Sequence, residues 1–301
     1  MKPDYQGDNW AIYLADCIEV MSGLPDGLID LSIFSPPFSD LFVYSESERD
    51  MGNCGSHAEF MDHYGFFCDA LFRAMKPGRI VCVHCSDLPA RKGKDGFIGL
   101  HDFGGDLIRA HQAAGFVYHA RCTIWKDPVI EMQRTKALGL LYKQLKKDSS
   151  MSRVGMPDYM LFFRKDAPNP DPITHQPEDL PVGQWQELAS PVWMKVNQTK
   201  VLNGRMARGQ EDERHICPLQ LDVIERCLTL YSNLGDLVLD PFNGIGSTGY
   251  KAVEMGRRYI GVELKPEYAK QAAKFLESAE QSSGRLFDVL PPGDAETEPM
   301  Q

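Results

Sequence analysis

No run of about 18 apolar residues occurs in the 301-residue chain, which leaves no membrane-spanning helix in the reading. The first ten residues, Met1 to Trp10, are polar and mixed in charge and hold no apolar stretch of the kind an export signal needs. A second C-x-x-C pair is missing and the eight cysteines are scattered, so neither a disulfide framework nor a four-thiolate zinc site is expected. The expectation is a reduced, cytoplasmic protein with no membrane partner and no metal. Positive charge is also short: 32 Lys and Arg face 42 Asp and Glu, a formal net charge of -10. Averaged over the chain, that speaks against a polyanionic partner.

The single C-x-x-C joins Cys82 and Cys85, with His84 between them. It lies in a run from Arg79 to His84 that reads as a buried strand after a Lys76-Pro77-Gly78 turn. On a strand, positions three apart face opposite ways, so the pair reads as two small buried side chains.

What is present is an alternation of strand and helix patterns. Trp10 to Leu14 and Ile29 to Phe34 read as strands. From Ser56, Phe60, Tyr64, Phe67, Leu71 and Met75 recur at helical spacing. A strand at Ile80 to His84 and a helix from Phe103 to Ala114, stopped by Gly115, follow. Phe116 to Trp125 and Tyr159 to Phe163 are expected to form an antiparallel pair. The rhythm returns after Pro218 with a helix, a strand at Leu237 to Asp240, a helix to Met255, a strand at Tyr259 to Leu264 and a helix from Pro266 to Ala279. Such alternation predicts a parallel sheet covered by helices. Val129 to Pro157, and the stretch from Asp166 to Pro191 with its six prolines, break the rhythm and read as insertions.

Two motifs carry chemistry. The first runs from Leu237 through Asp240-Pro241-Phe242-Asn243-Gly244-Ile245-Gly246-Ser247-Thr248. It reads as a strand, a tight turn and a helix start, with Gly244 and Gly246 allowing close backbone approach and Ser247 or Thr248 as helix cap. Glu263 ends the next strand, where an acid can accept both hydroxyls of a ribose. The loop lacks Gly-Lys-Ser/Thr and is therefore no Walker A. Asp240 would repel a pyrophosphate but suits a cationic cofactor such as S-adenosylmethionine. A tight turn with no ligand is the competing reading. The second motif, Ser35-Pro36-Pro37-Phe38, follows a strand and so belongs at the carboxyl edge of the sheet. Ser35 and a proline-region carbonyl can accept hydrogen bonds from one NH2 group, and Phe38 offers a stacking face for an extruded base. Its competing reading is a proline-terminated strand with a buried Phe.

Together the two motifs resemble the amino-methylating DNA methyltransferases, which modify N4 of cytosine or N6 of adenine. Residues 240–248 look like that family's cofactor motif and residues 35–38 like its catalytic motif. The catalytic motif comes first, the order of the beta subgroup. The resemblance implies an α/β, circularly permuted Rossmann-like S-adenosylmethionine-dependent methyltransferase fold with an inserted recognition region. It adds Asp16 and Cys17 near the cofactor adenine, and His215, Ile216 and Cys217 closing the methionine end, to Asp240, Pro241, Phe242, Gly244, Gly246, Ser247, Thr248 and Glu263. It assigns catalysis to Ser35, Pro36, Pro37 and Phe38.

The implied layout is a catalytic half at 1–127, a basic insertion at 128–158 and a return strand at 159–165. A Pro-rich and basic segment at 166–212, a cofactor half at 213–279 and a flexible acidic tail at 280–301 complete it. Ser35 favours cytosine N4, with adenine N6 as the alternative and a non-catalytic DNA- or cofactor-binding remnant or an RNA methyltransferase as further readings. Carbon-5 methylation needs a Pro-Cys nucleophile, which the chain lacks.

Charge is uneven along the chain. Residues 121–165 hold ten basic against four acidic side chains. Arg134, Lys136, Lys143, Lys146, Lys147, Arg153, Lys195, Lys200, Arg205 and Arg208 are therefore candidates for DNA phosphate contacts. The expected partner is DNA, with a restriction endonuclease or phage context and a homodimer left open.

Overall fold

The computed structural model describes residues 1–38, 50–90, 92–135, 138–202 and 218–288. A nine-stranded sheet runs through it. In chain order its strands are β1 (Tyr5–Gln6), β2 (Trp10–Leu14), β3 (Ile29–Phe34) and β4 (Met75–Cys85). A separate hairpin of β5 (Leu88–Ala90) and β6 (Gly99–His101) follows. The sheet resumes with β7 (Phe116–Ile124), β8 (Asp158–Lys165), β9 (Val192–Trp193), β10 (Leu237–Asp240) and β11 (Arg258–Glu263). In space the order is β1-β2-β11-β10-β3-β4-β8-β7-β9. Strands β2, β11, β10, β3 and β4 run parallel, while β8 is antiparallel to both β4 and β7.

The expected parallel sheet and the antiparallel pair are both present. The central strands are covered on both faces, and all six residues of β3 are buried, Asp30 and Ser32 among them. Helices α1 (Cys17–Ser22), α2 (His57–Ala74) and α4 (Phe103–Ala113) share a core with Phe34, Val81, Leu161 and Leu239 on one face. Helices α7 (Leu221–Tyr231), α8 (Ser247–Glu254) and α9 (Pro266–Asp288) share the other core with Leu31, Ile33, Cys82 and Val238. Burying a large apolar side chain in either core contributes about 1.5–3 kcal/mol. Cys82 and Cys85 do fall into opposite cores. The seven described cysteines are free thiols.

Two expectations need correction. The segment after residue 165 does not stand apart from the sheet. It forms a short helix, α6 (Val182–Leu188), and then β9, which pairs with β7 through Thr123 and Val192. Trp193 is buried there and donates from Nε1 to the Leu188 carbonyl, and that anchor holds the edge strand in place. The last helix does not stop near Ala279 but continues to Asp288, with Glu280 accepting from the Asn9 amide and from Trp10 Nε1. A helix docked on the N-terminal strands therefore takes the beginning of the expected tail; residues 289–301 lie outside the described residues. Between β7 and β8, the basic insertion forms α5 (Pro128–Thr135) and three short 3-10 turns. The remaining helix, α3 (Lys92–Asp95), lies within the β5–β6 hairpin.

Candidate active site

The winding of the crossovers reverses between the parallel strands β10 and β3. From β10 the chain crosses through α8 to β11 on one side, and from β3 through α2 to β4 on the other. Such a switch point opens a cleft at the carboxyl ends of the two strands. Both sequence motifs end in that cleft. Its walls include Asp16, Cys17, Ser35, Pro36, Pro37, Phe38, Asp240, Pro241, Phe242, Gly244, Ser247, Thr248 and Glu263. The register makes this unavoidable: Leu239 pairs near Ser32, so both strands run out side by side.

The glycine loop is shaped by close approach. Gly246 caps α8 at a φ of 87°, and a side chain there would lie 2.8 Å from the Ala272 Cβ of α9. Gly249 faces the Tyr259 ring with no room for a Cβ, and Tyr259 donates its hydroxyl to Asn243 Oδ1 at 2.7 Å. The expected side-chain cap is absent: neither Ser247 nor Thr248 caps α8. The αL cap turns Ser247 inward instead, and its buried Oγ has no partner among the described residues. Thr248 Oγ1 lies 3.4 Å from the Ile33 carbonyl, tying the loop to β3.

Two carboxyls dominate the cleft. Burial pushes Asp240 up to about 7, against the Thr248 hydroxyl and the Phe242 amide, which favour its ionised form. Glu263 is likewise pushed up to about 7 by burial, although it accepts from the amides of Lys265 (2.9 Å) and Gly244 (2.7 Å). Asp16 and Asp50 complete an acidic lining in which no Lys, Arg or His occurs among the described residues. Such a surface suits a ligand that brings positive charge and hydroxyl donors. Asp16 serves first as the cap of α1, accepting from the amides of Ile18 and Glu19. Cys17 is a buried thiol whose ionisation is opposed by burial and by Asp16.

On the other wall, Pro36 is buried and Ser35, Pro37 and Phe38 are half-buried. The Phe38 ring packs 6.0 Å from that of Phe103. Ser35 Oγ lies 3.1 Å from His84 Nδ1. The signal for His84 was its place at the carboxyl end of β4, one residue beyond the Phe34–Val83 pair. Met51, Leu219, Leu264 and Tyr268 also line the cleft and were not singled out as ligand contacts by the sequence reading.

The remaining expectations divide. His215, Ile216, Cys217, Lys136, Arg205 and Arg208 lie outside the described residues, as does the Arg134 side chain. Lys143, Lys146 and Lys147 are exposed on a 3-10 turn and the residue after it. Arg153 pairs with Glu131 (3.8 Å), Lys195 with Glu187 (2.8 Å) and Lys200 with Asp222 (2.8 Å). Those three are engaged with acids of the same chain.

Comparison with known proteins agrees with this geometry. A family profile described as DNA methylase (N6_N4_Mtase) matches residues 29–274. The type II methyltransferase M.BamHI of Bacillus amyloliquefaciens is 23% identical over 298 residues, covering 96% of this chain and 62% of its own. The chain thus spans about three fifths of that relative's length. A putative DNA modification methylase of Thermus thermophilus, solved with S-adenosyl-L-methionine, superposes with a TM-score of 0.67 at 22% identity, covering 89% of this chain and 93% of its own. The cytosine-N4-specific PvuII DNA methyltransferase superposes at 0.65 and 20% identity, with 95% of each chain covered.

Proposed function

The chain belongs to the N6/N4 DNA methylase family, and from that premise we propose that it transfers a methyl group from S-adenosylmethionine to the exocyclic amine of a flipped DNA base, N4 of cytosine. One observation carries this reading: the Ser35–Phe38 clamp and the Asp240–Glu263 pocket line a single cleft. Adjacent strands supply them although about 200 residues separate them in the chain, which supports a circularly permuted order of the methyltransferase fold.

The acidic cleft fits the cofactor. Glu263 would hold the ribose hydroxyls, Asp240 the cationic end, and Gly244 and Gly246 would let the backbone close on it; Asp16 and Cys17 line the adenine end. When bound, S-adenosylmethionine supplies an activated methyl on a sulfonium. The chain does the rest by position. Ser35 Oγ and the Pro36 carbonyl accept hydrogen bonds from the two amine N–H groups, which draws the nitrogen lone pair out of conjugation with the ring. Phe38 stacks on the base. Alignment and preorganised acceptors provide the rate, with no covalent enzyme intermediate.

Lys143, Lys146 and Lys147, exposed and adjacent, are the best-supported phosphate contacts of the basic insertion. Binding through them weakens sharply between about 50 and 200 mM salt. The test incubates the protein with labelled S-adenosylmethionine and unmodified DNA, then identifies the methylated nucleoside by mass spectrometry. N4-methylcytosine is the expected product. N6-methyladenine would move the base, and no product from DNA would overturn the reading.

A further inference from the structure

His84 stands between Ser35 and a buried ion pair. Its Nδ1 is 3.1 Å from Ser35 Oγ, and its Nε2 is 3.2 Å from Asp158 Oδ2, at an angle short of a full hydrogen bond. Asp158 Oδ1 in turn lies 2.5 Å from Lys126 Nζ. His84 and Asp158 are buried, and the sheet sets their alignment. Ser35 follows the Phe34–Val83 pair, and Asp158 opens β8 opposite Ile124, two residues before Lys126.

We propose that Ser35, His84, Asp158 and Lys126 form a proton relay in which His84 is the positioning residue that makes Ser35 a pure acceptor and then receives its proton. This rests on the amine-methylating reading above. The donor and acceptor roles follow from the partners. The Lys126 ammonium, 2.5 Å from Oδ1, keeps the buried Asp158 ionised, so the carboxylate accepts only. Nε2 must then carry the imidazole proton, which leaves Nδ1 free to accept from the Ser35 hydroxyl. The other acceptor within reach of that hydroxyl, the His84 carbonyl, is farther at 3.4 Å. With its proton committed to His84, Ser35 Oγ turns only lone pairs to the cleft, the arrangement an NH2 group needs.

The step balances. The amine nitrogen forms a bond to the methyl carbon, and the sulfur–carbon bond breaks with its electron pair remaining on sulfur. The nitrogen then holds one proton too many. That proton passes to Ser35 Oγ as the Ser35 proton passes to His84 Nδ1, and Asp158 stabilises the resulting imidazolium.

Asp158→Asn discriminates best because it keeps the shape. Lys126 holds the new amide by its oxygen, so the NH2 faces Nε2 and forces the proton onto Nδ1. That proton then points at Ser35 and reverses its hydroxyl. The expected result is a fall in kcat of at least about 100-fold, with KM for cofactor and DNA within about twofold of wild type. His84→Ala falls similarly, and added imidazole recovers about tenfold. The Ser35→Ala/His84→Ala double variant is no slower than Ser35→Ala alone, since both act in one chain. Nitrogen-15 spectra of the histidines, read without cofactor or DNA, report an Nε2-protonated His84 in wild type that switches tautomer in Asp158→Asn.

An Nδ1-protonated His84 in wild type overturns the relay. So does His84→Ala retaining more than about a third of the wild-type rate, or additive losses in the double variant. A wild-type protein that methylates no nucleic acid would instead overturn the functional reading, and the spectra would still test the relay.

Discussion

The two ends of the same three strands, β3, β4 and β10, are built on opposite rules. At their amino ends charges are buried in pairs. The Arg79 guanidinium is fully buried, 2.9 Å from Asp236 and 3.3 Å from Asp30. Lys76 adds contacts to Asp30 (2.5 Å) and Asp171 (2.8 Å), and Asp30 also accepts from the Leu237 amide. At the carboxyl edge, Asp240 of β10 and Glu263 of the neighbouring β11 line a cleft and have no basic partner among the described residues, nor has Ser247 Oγ a partner there. A buried charge needs a partner; one end finds it within the chain, the other waits for a ligand.

The sharpest way to break this comparison is at the paired end. Arg79→Met leaves Asp30 and Asp236 without their shared cation, and should lower unfolding free energy by about 3–5 kcal/mol in a urea titration. A loss below about 1 kcal/mol would mean the amino ends do not hold the sheet. Ser35→Ala, at the other end, should leave the urea midpoint unchanged and lower methyl transfer at least about 100-fold. Wild-type turnover would remove Ser35 from the chemistry.

Asp240→Asn tests whether Asp240 and Glu263 await a cation. Calorimetry should find S-adenosylmethionine bound about tenfold more weakly. The apo protein should melt no lower than wild type, because an uncompensated buried carboxylate has been removed.

The smallest effect is one of pH. Asp240 and Glu263 are raised to about 7, so between about pH 4 and 7 the folded apo protein binds more protons than the unfolded chain. Apo stability from these groups is therefore full below about pH 4 and declines as pH rises through 7. A bound cation favours the ionised acids, so cofactor affinity should rise severalfold from about pH 6 to 8 and then level off. Asp240→Asn should flatten that slope. A wild-type affinity flat in pH would show that the cofactor does not engage these acids.

Much of the site was legible in sequence because its motifs follow strand ends. Proline pairs stop a strand, glycines bend the chain into a helix, and both events put residues at the carboxyl edge. The fold was legible for the same reason, since β10 to β11 and β3 to β4 are local units with strong patterns. Elements that depend on distant partners were not. Strand β9 has only two residues, and it is a strand because Trp193 finds a pocket and β7 offers a free edge. The last helix continues past Ala279 because Glu280 meets Asn9 and Trp10. The basic residues were grouped as candidate phosphate contacts, and Arg153, Lys195 and Lys200 pair with acids that composition could not match to them.

The opening deficit of positive charge marks the same boundary. By itself the sequence determined the order of the central strands and helices, the proline stop at Pro36 and Pro37, and a turn whose positive φ at Gly244 and Gly246 favours glycine. Those depend on neighbours within a few residues. Only the tertiary structure decided which acids have a cation. It joined Arg79 to Asp30 and Asp236, left Asp240 and Glu263 facing a cleft, and brought His84 beside Ser35. Those outcomes depend on the register between strands far apart in the chain, and no local pattern encodes it.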